Sequence, residues 1–141
     1  MDIDIEKIIV NSFLRRQKRE RALYELAHQD KRHDFIHSME DYFDPKYVVR
    51  IERHICDYNE LHDILARNGA QATCYVMGLT PDPNLDGKIM TLRDAAERVF
   101  LAGPKLLSCI HGEFAYYESH PQDVIYPRYL LARKQICISK V

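Results

Sequence analysis

The chain has 141 residues, 46% of them apolar and 29% charged, with a formal net charge of -1. Those values describe one globular domain, large enough to bury a core unaided, and they exclude a disordered tail or a whole-molecule attraction to nucleic acid or membrane. The start, "MDIDIEKIIV", lacks the basic head and long apolar run of a secretory signal, no apolar run could cross a bilayer, and Cys56, Cys74, Cys109 and Cys137 show no C-x-x-C spacing, so a cytoplasmic protein with reduced thiols is expected.

From Asp4 to Ala27 the residues are mostly Glu, Lys, Arg, Leu and Ala, with no Gly or Pro, which predicts one long helix. Its ends carry Ile5, Ile8, Ile9 and Phe13, then Leu23 and Leu26; "RRQKRER" between them is polar all round and must be solvated while the ends pack. A second helix begins with Asp30 as N-cap and sets Phe35, Ile36, Met39, Tyr42 and Phe43 on one face until Asp44 and Pro45 stop it. Residues 1–43 thus read as a helical hairpin. Residues 46–56 fit both strand and helix periods, and their β-branched content favours strand.

Asp57 followed by Glu60 is a capping pair, Leu61, Ile64 and Leu65 form a stripe, and Gly69 is a stop, which predicts a helix near 58–68. "ATCYVMGL" reads as a buried strand, "GKIM" as a short one, and Thr91 with Asp94 starts a helix near 92–102. "KLLSCIHGEFAYYE" alternates like one strand, "SHPQD" turns, and "YLLAR" and "KQICISKV" return antiparallel. The expected class is α+β: the hairpin packed with a small, mostly antiparallel sheet and two further helices in 46–141, helices covering one face of that sheet.

Asp82, Asn84, Asp86 and Gly87 match the first half of a calcium loop, but Arg93 stands where a bidentate carboxylate must close the coordination sphere, so a structural turn is expected. His33, His37 and Asp41 fall at helical spacing and read as a solvated helix face, because the sequence offers no further ligand. No metal or cofactor is expected. Cys109, His111 and Glu113 alternate on one side of a predicted strand and invite a thiol, base and carboxylate reading, although residues two apart on a strand lie about 6–7 Å apart. Arg15, Arg16, Lys18, Arg19 and Arg21 could meet phosphates, but at helical angles they form no single stripe.

The aromatic stretch "FAYYESHPQDVIYPRYL" suggests a contact surface of Tyr117, Tyr126, Arg128 and Tyr129, since Tyr and Arg dominate interface energies. Alternation buries Phe114 with Tyr116 and sends Tyr117 to the opposite face. The expected function is a non-catalytic protein-binding module of the inhibitor, immunity or adaptor type, or a self-associating domain such as a homodimer. Nucleic-acid binding through Arg15 to Arg21, and a thiol-dependent enzyme using Cys109, His111 and Glu113, are the alternatives.

Overall fold

A computed structural model describes residues 1–79, 82–121 and 126–136 of the chain. The first helix, α1 (Ile3–Phe13), starts where the Asp2 carboxylate accepts from the Ile5 amide, and it buries Ile9, Val10 and Phe13. The long helix expected over Asp4–Ala27 then breaks. Leu14 is extended, bridges to Phe43, and is followed by a 3-10 turn at Arg16–Lys18 before α2 (Arg19–Ala27). No Gly or Pro causes the break; the Arg15 amide donates to Tyr42 O and the Asp44 amide to Phe13 O, so a crossing segment takes the hydrogen bonds that another helical turn would use. The polar "RRQKRER" supplies no buried face to hold the helix straight, and bending returns Ala22 and Leu26 to the core.

His28 turns the chain into α3 (Gln29–His37), which ends when the Ser38 hydroxyl donates to Asp34 O. Met39–Tyr42 and Pro45–Tyr47 are 3-10 turns, so Asp41 lies beyond the helix and does not extend the row of His33 and His37. Of residues 46–56 only β1 (Val48–Arg50) is strand.

The best-marked helix follows as expected. In α4 (Tyr58–Arg67) the Asp57 carboxylate accepts from the Glu60 amide, while Glu60 Oε2 accepts from the Cys56 amide. Leu61, Ile64 and Leu65 are buried, each side chain contributing about 1.5–3 kcal/mol. The strands β2 (Thr73–Met77) and β3 (Ile89–Thr91) flank a Pro-rich loop, and α5 (Leu92–Val99) starts at Thr91, whose hydroxyl accepts from the Asp94 amide. The run expected as one strand over 105–118 is a hairpin of β4 (Lys105–Ile110) and β5 (Phe114–Glu118). Gly112, at φ 82°, makes the reversal that a side chain would strain. β6 (Arg128–Ala132) follows; within "KQICISKV", residues 134–136 are not strand and the rest falls outside the described residues.

Among the described residues six strands pair antiparallel throughout, in the order β1-β6-β5-β4-β2-β3. Helices cover both faces rather than the single face expected. Leu61, Ile64, Ala95 and Val99 pack with Val76, Leu107, Tyr116 and Leu130 on one side. On the other, Ile9, Phe13, Phe35 and Ile36 pack with Tyr75, Leu106, Tyr117 and Leu131. With both faces dry, the central strands are apolar without a clean alternation.

Arg32 locks the second face. It is 1% exposed, and its guanidinium donates from Nε and Nη2 to Asp86 at 2.6 and 2.8 Å, from Nη1 and Nη2 to Glu6 at 2.7 and 2.6 Å, and from Nη1 to Leu26 O at 3.2 Å. That accounts for all five of its N–H groups. Tyr75 Oη donates to Glu6 Oε2, and the Gly78 amide donates to Asp86 Oδ1. Burial opposes the Arg32 charge, but the two carboxylates outweigh it and hold the pKa above its ordinary value. Asp86 therefore ties the Pro-rich loop to α1 and α3, while Asp82 caps the Pro83–Leu85 turn and Arg93 reaches Asn59 on α4. Asp82 and Asp86 thus bond to different parts of the chain.

Candidate functional site at the β1 edge

Pro45 and the Asp44 cap fix a turn that delivers the chain into β1, which among the described residues pairs with β6 alone and forms an edge of the sheet. The Ile51 amide continues the ladder by donating to Arg128 O at 2.8 Å. Side chains alternate along so short a strand, and a groove opens on each side of it. One, of about 370 Å³, is lined by Arg15, Glu40, Asp41, Phe43, Val48 and Tyr129 and ends at Arg50. The other, of about 350 Å³, runs from Arg50 along Ile51, Arg53 and His54 to Leu101, Tyr126 and Arg128.

Beneath the second groove a row of charges crosses the sheet end, with Lys105 opposite Glu118 and Glu118 opposite Arg128 on neighbouring strands. All are buried. Glu118 Oε1 accepts from Tyr116 Oη at 2.8 Å and from Arg128 Nε at 3.3 Å, whereas Oε2 has no hydrogen-bond partner among the described residues. Burial therefore raises the Glu118 pKa against the pull of Tyr116 and Arg128. The Arg128 guanidinium also stacks 5.0 Å from the Phe100 ring centre, and Lys105 Nζ donates to Ala102 O. Next to Ala102, Leu101 holds φ at 59° and is 50% exposed, an uncommon backbone state for a residue with a β-carbon.

Of the contact residues read from the sequence, Tyr126 and Tyr129 are half-buried at these grooves, and Arg128 is buried with an edge on the second. Tyr117 cannot serve as a contact. It is wholly buried, donates from Oη to Ile36 O at 2.6 Å and meets the Phe43 ring edge-on at 5.2 Å. Alternation does put it opposite Tyr116, but α1–α3 cover that opposite face. The residues that sequence reasoning missed are Arg50 and Leu101; neither carried a motif, because their roles come from the edge position and the backbone state.

The basic cluster is spread over the break between α1 and α2. Arg19 Nε donates to Leu14 O, Arg21 pairs with Glu25, and Arg15 turns to the first groove, so these cations with Arg16 and Lys18 form no common stripe. The thiol reading fails on geometry and charge. Cys109 is buried, and burial with Cys74 nearby pushes its thiol well above the ordinary range; burial pushes Cys74 up to about 12. His111 and Glu113 sit at the β4–β5 turn instead of along the strand, and His111 Nδ1 lies 2.6 Å from Ser108 Oγ, itself fully buried. A thiol held neutral and enclosed is a poor nucleophile.

A third histidine joins the pair on α3. His37 Nδ1 lies 3.0 Å from His120 Nε2, just past β5, and the His33 and His37 rings meet at a 43° tilt with centres 4.0 Å apart. Burial, with His33, His120 and Lys105 nearby, lowers the His37 pKa to about 4. No helix among the described residues is long and apolar enough to cross a membrane. Compared with protein-family models, curated proteins and solved structures, the chain matches none.

Proposed function

We propose that the chain is a small cytoplasmic protein-binding module of the inhibitor, immunity or adaptor type, which engages its partner along the β1 edge without catalysing a reaction. The carrying observation is an edge strand with a groove on each side, bordered by Tyr126, Tyr129, Arg50 and Arg128. An edge strand offers a row of backbone donors and acceptors to an extended segment, and grooves on alternate sides accept its alternate side chains. Leu101 supports the reading, since an exposed apolar side chain on a strained backbone contributes little to the isolated fold.

The test places a photocrosslinking amino acid at Val49, which is 38% exposed on β1, and separately at Ile89 on the opposite edge, 60% exposed. In native cytosol the probe at 49 should yield one dominant protein adduct that Tyr126→Ala with Tyr129→Ala abolishes, and the probe at 89 should yield none. An adduct mass equal to two copies would identify self-association. Equal labelling from both edges, or a nucleic-acid adduct lost steeply with salt, would sink the proposal.

A further inference from the structure

We infer that the partner at the β1 edge is a second copy of this chain, the two β1 strands pairing antiparallel about a two-fold axis beside Val49. The inference rests on reading that edge as a protein-binding surface, and it names the occupant. In an antiparallel ladder the bonded pairs alternate along the strand. The Ile51 amide donates to Arg128 O, so Val49 also bonds to β6, while Val48 and Arg50 turn their backbone groups outward. The Val48 amide donates to Pro45 O, which leaves Val48 O and both backbone groups of Arg50 facing the open side.

A two-fold axis sets residue i against j and j against i, so three registers centre on this strand. Centred on Arg50, the two guanidinium groups stand side by side, and like charges directly opposite repel. Centred on Val48, two amides already engaged face each other and the central pair gains no bond. Centred on Val49, each Arg50 amide donates to Val48 O of the other copy, and Val49, 38% exposed, meets its own counterpart. The same register answers the charges. Arg50 and Asp41 are both exposed and line one groove with Phe43 and Val48, yet they form no ion pair within the chain. Set opposite Val48 of the other copy, Arg50 enters that copy's groove, where Ser119 engages Glu40 and Asp41 faces solvent. Symmetry makes the Arg50–Asp41 pair twice.

Sedimentation equilibrium of the purified whole chain, from micromolar to millimolar concentration, should show a reversible monomer–dimer equilibrium. Arg50→Glu and Asp41→Arg, each on an exposed residue, should each weaken the dimer about tenfold, since every pair is lost twice, and the double variant should recover the native constant. Oxidation reads the register, in a Cys56→Ser background that removes the exposed thiol at 56. Val49→Cys should give a covalent dimer, because close-paired α-carbons stand about 4.5 Å apart, within disulfide reach; Arg50→Cys should give no more than Cys56→Ser alone. A chain monomeric at every concentration, a double variant that recovers nothing, or equal crosslinking at 49 and 50 would overturn the inference. The protein-binding reading is decided separately: a photoadduct at position 49 with a mass other than two copies refutes self-association and leaves that reading standing.

Discussion

Two clusters of buried charge occupy opposite faces of the sheet, and they are built to different standards. Around Arg32 all five guanidinium N–H groups have acceptors, both carboxylates are doubly engaged, and Tyr75 and Gly78 fill further lone pairs. At the sheet end, Glu118 leaves one oxygen without a partner among the described residues, Arg128 reaches it at 3.3 Å, and the row borders an open groove. A charge removed from water costs several kcal/mol unless its hydrogen bonds are replaced, so complete satisfaction at Arg32 and partial satisfaction at Glu118 separate architecture from surface. The first cluster holds α1, α3 and the Pro-rich loop together. The second tolerates its shortfall beside the edge where a partner is proposed to bind.

The comparison breaks most visibly at Arg32. Arg32→Met leaves Glu6 and Asp86 buried without their counter-charge and should cost about 3–5 kcal/mol, read as a large fall in the urea midpoint. A loss below about 1 kcal/mol would mean that water enters and replaces the guanidinium. Arg128→Met removes the guanidinium stacked on Phe100 and its two long hydrogen bonds, to Glu118 Oε1 at 3.3 Å and to Tyr126 O at 3.4 Å; the expected loss is about 1–3 kcal/mol, less than at Arg32. Equal losses at the two arginines would mean that the two clusters contribute alike to stability.

The smallest effect is a slope with pH. Because burial raises the Glu118 pKa in the folded chain, between its ordinary 4.5 and that raised value the folded form keeps a proton that the unfolded form has released. Stability contributed by this group therefore falls as pH rises through that window. Glu118→Gln removes the titration, so its stability relative to the native chain should climb with pH across the same window and then level. A difference independent of pH would show that Glu118 is solvated when folded.

How far the sequence could be read depended on whether the signal was local. α4 and α5 are legible because the side chains of Asp57, Glu60 and Thr91 accept from amides three or four residues away. The break after Phe13 is not, since its cause is a crossing segment near Tyr42 to Asp44 and no Gly or Pro marks it. The hairpin inside 105–118 was missed although Gly112 marked it, because the alternation continues through the turn. Tyr126, Arg128 and Tyr129, read from the predicted hairpin and from residue type, line the two grooves. Tyr117 was misplaced because alternation reports which side of a strand a residue takes, and says nothing of what lies on that side.

By itself, then, the amino-acid order determined the α+β class, the antiparallel strands, the capped helices and the spacing that brings His33 beside His37, since each follows from interactions within a turn or along a strand. Tertiary structure alone decided that Arg32 meets Glu6 and Asp86, that both faces of the sheet are covered, and that His120 arrives 3.0 Å from His37. Those contacts join residues 26 to 83 positions apart, and no local preference encodes a partner that only the closing of the sheet brings near.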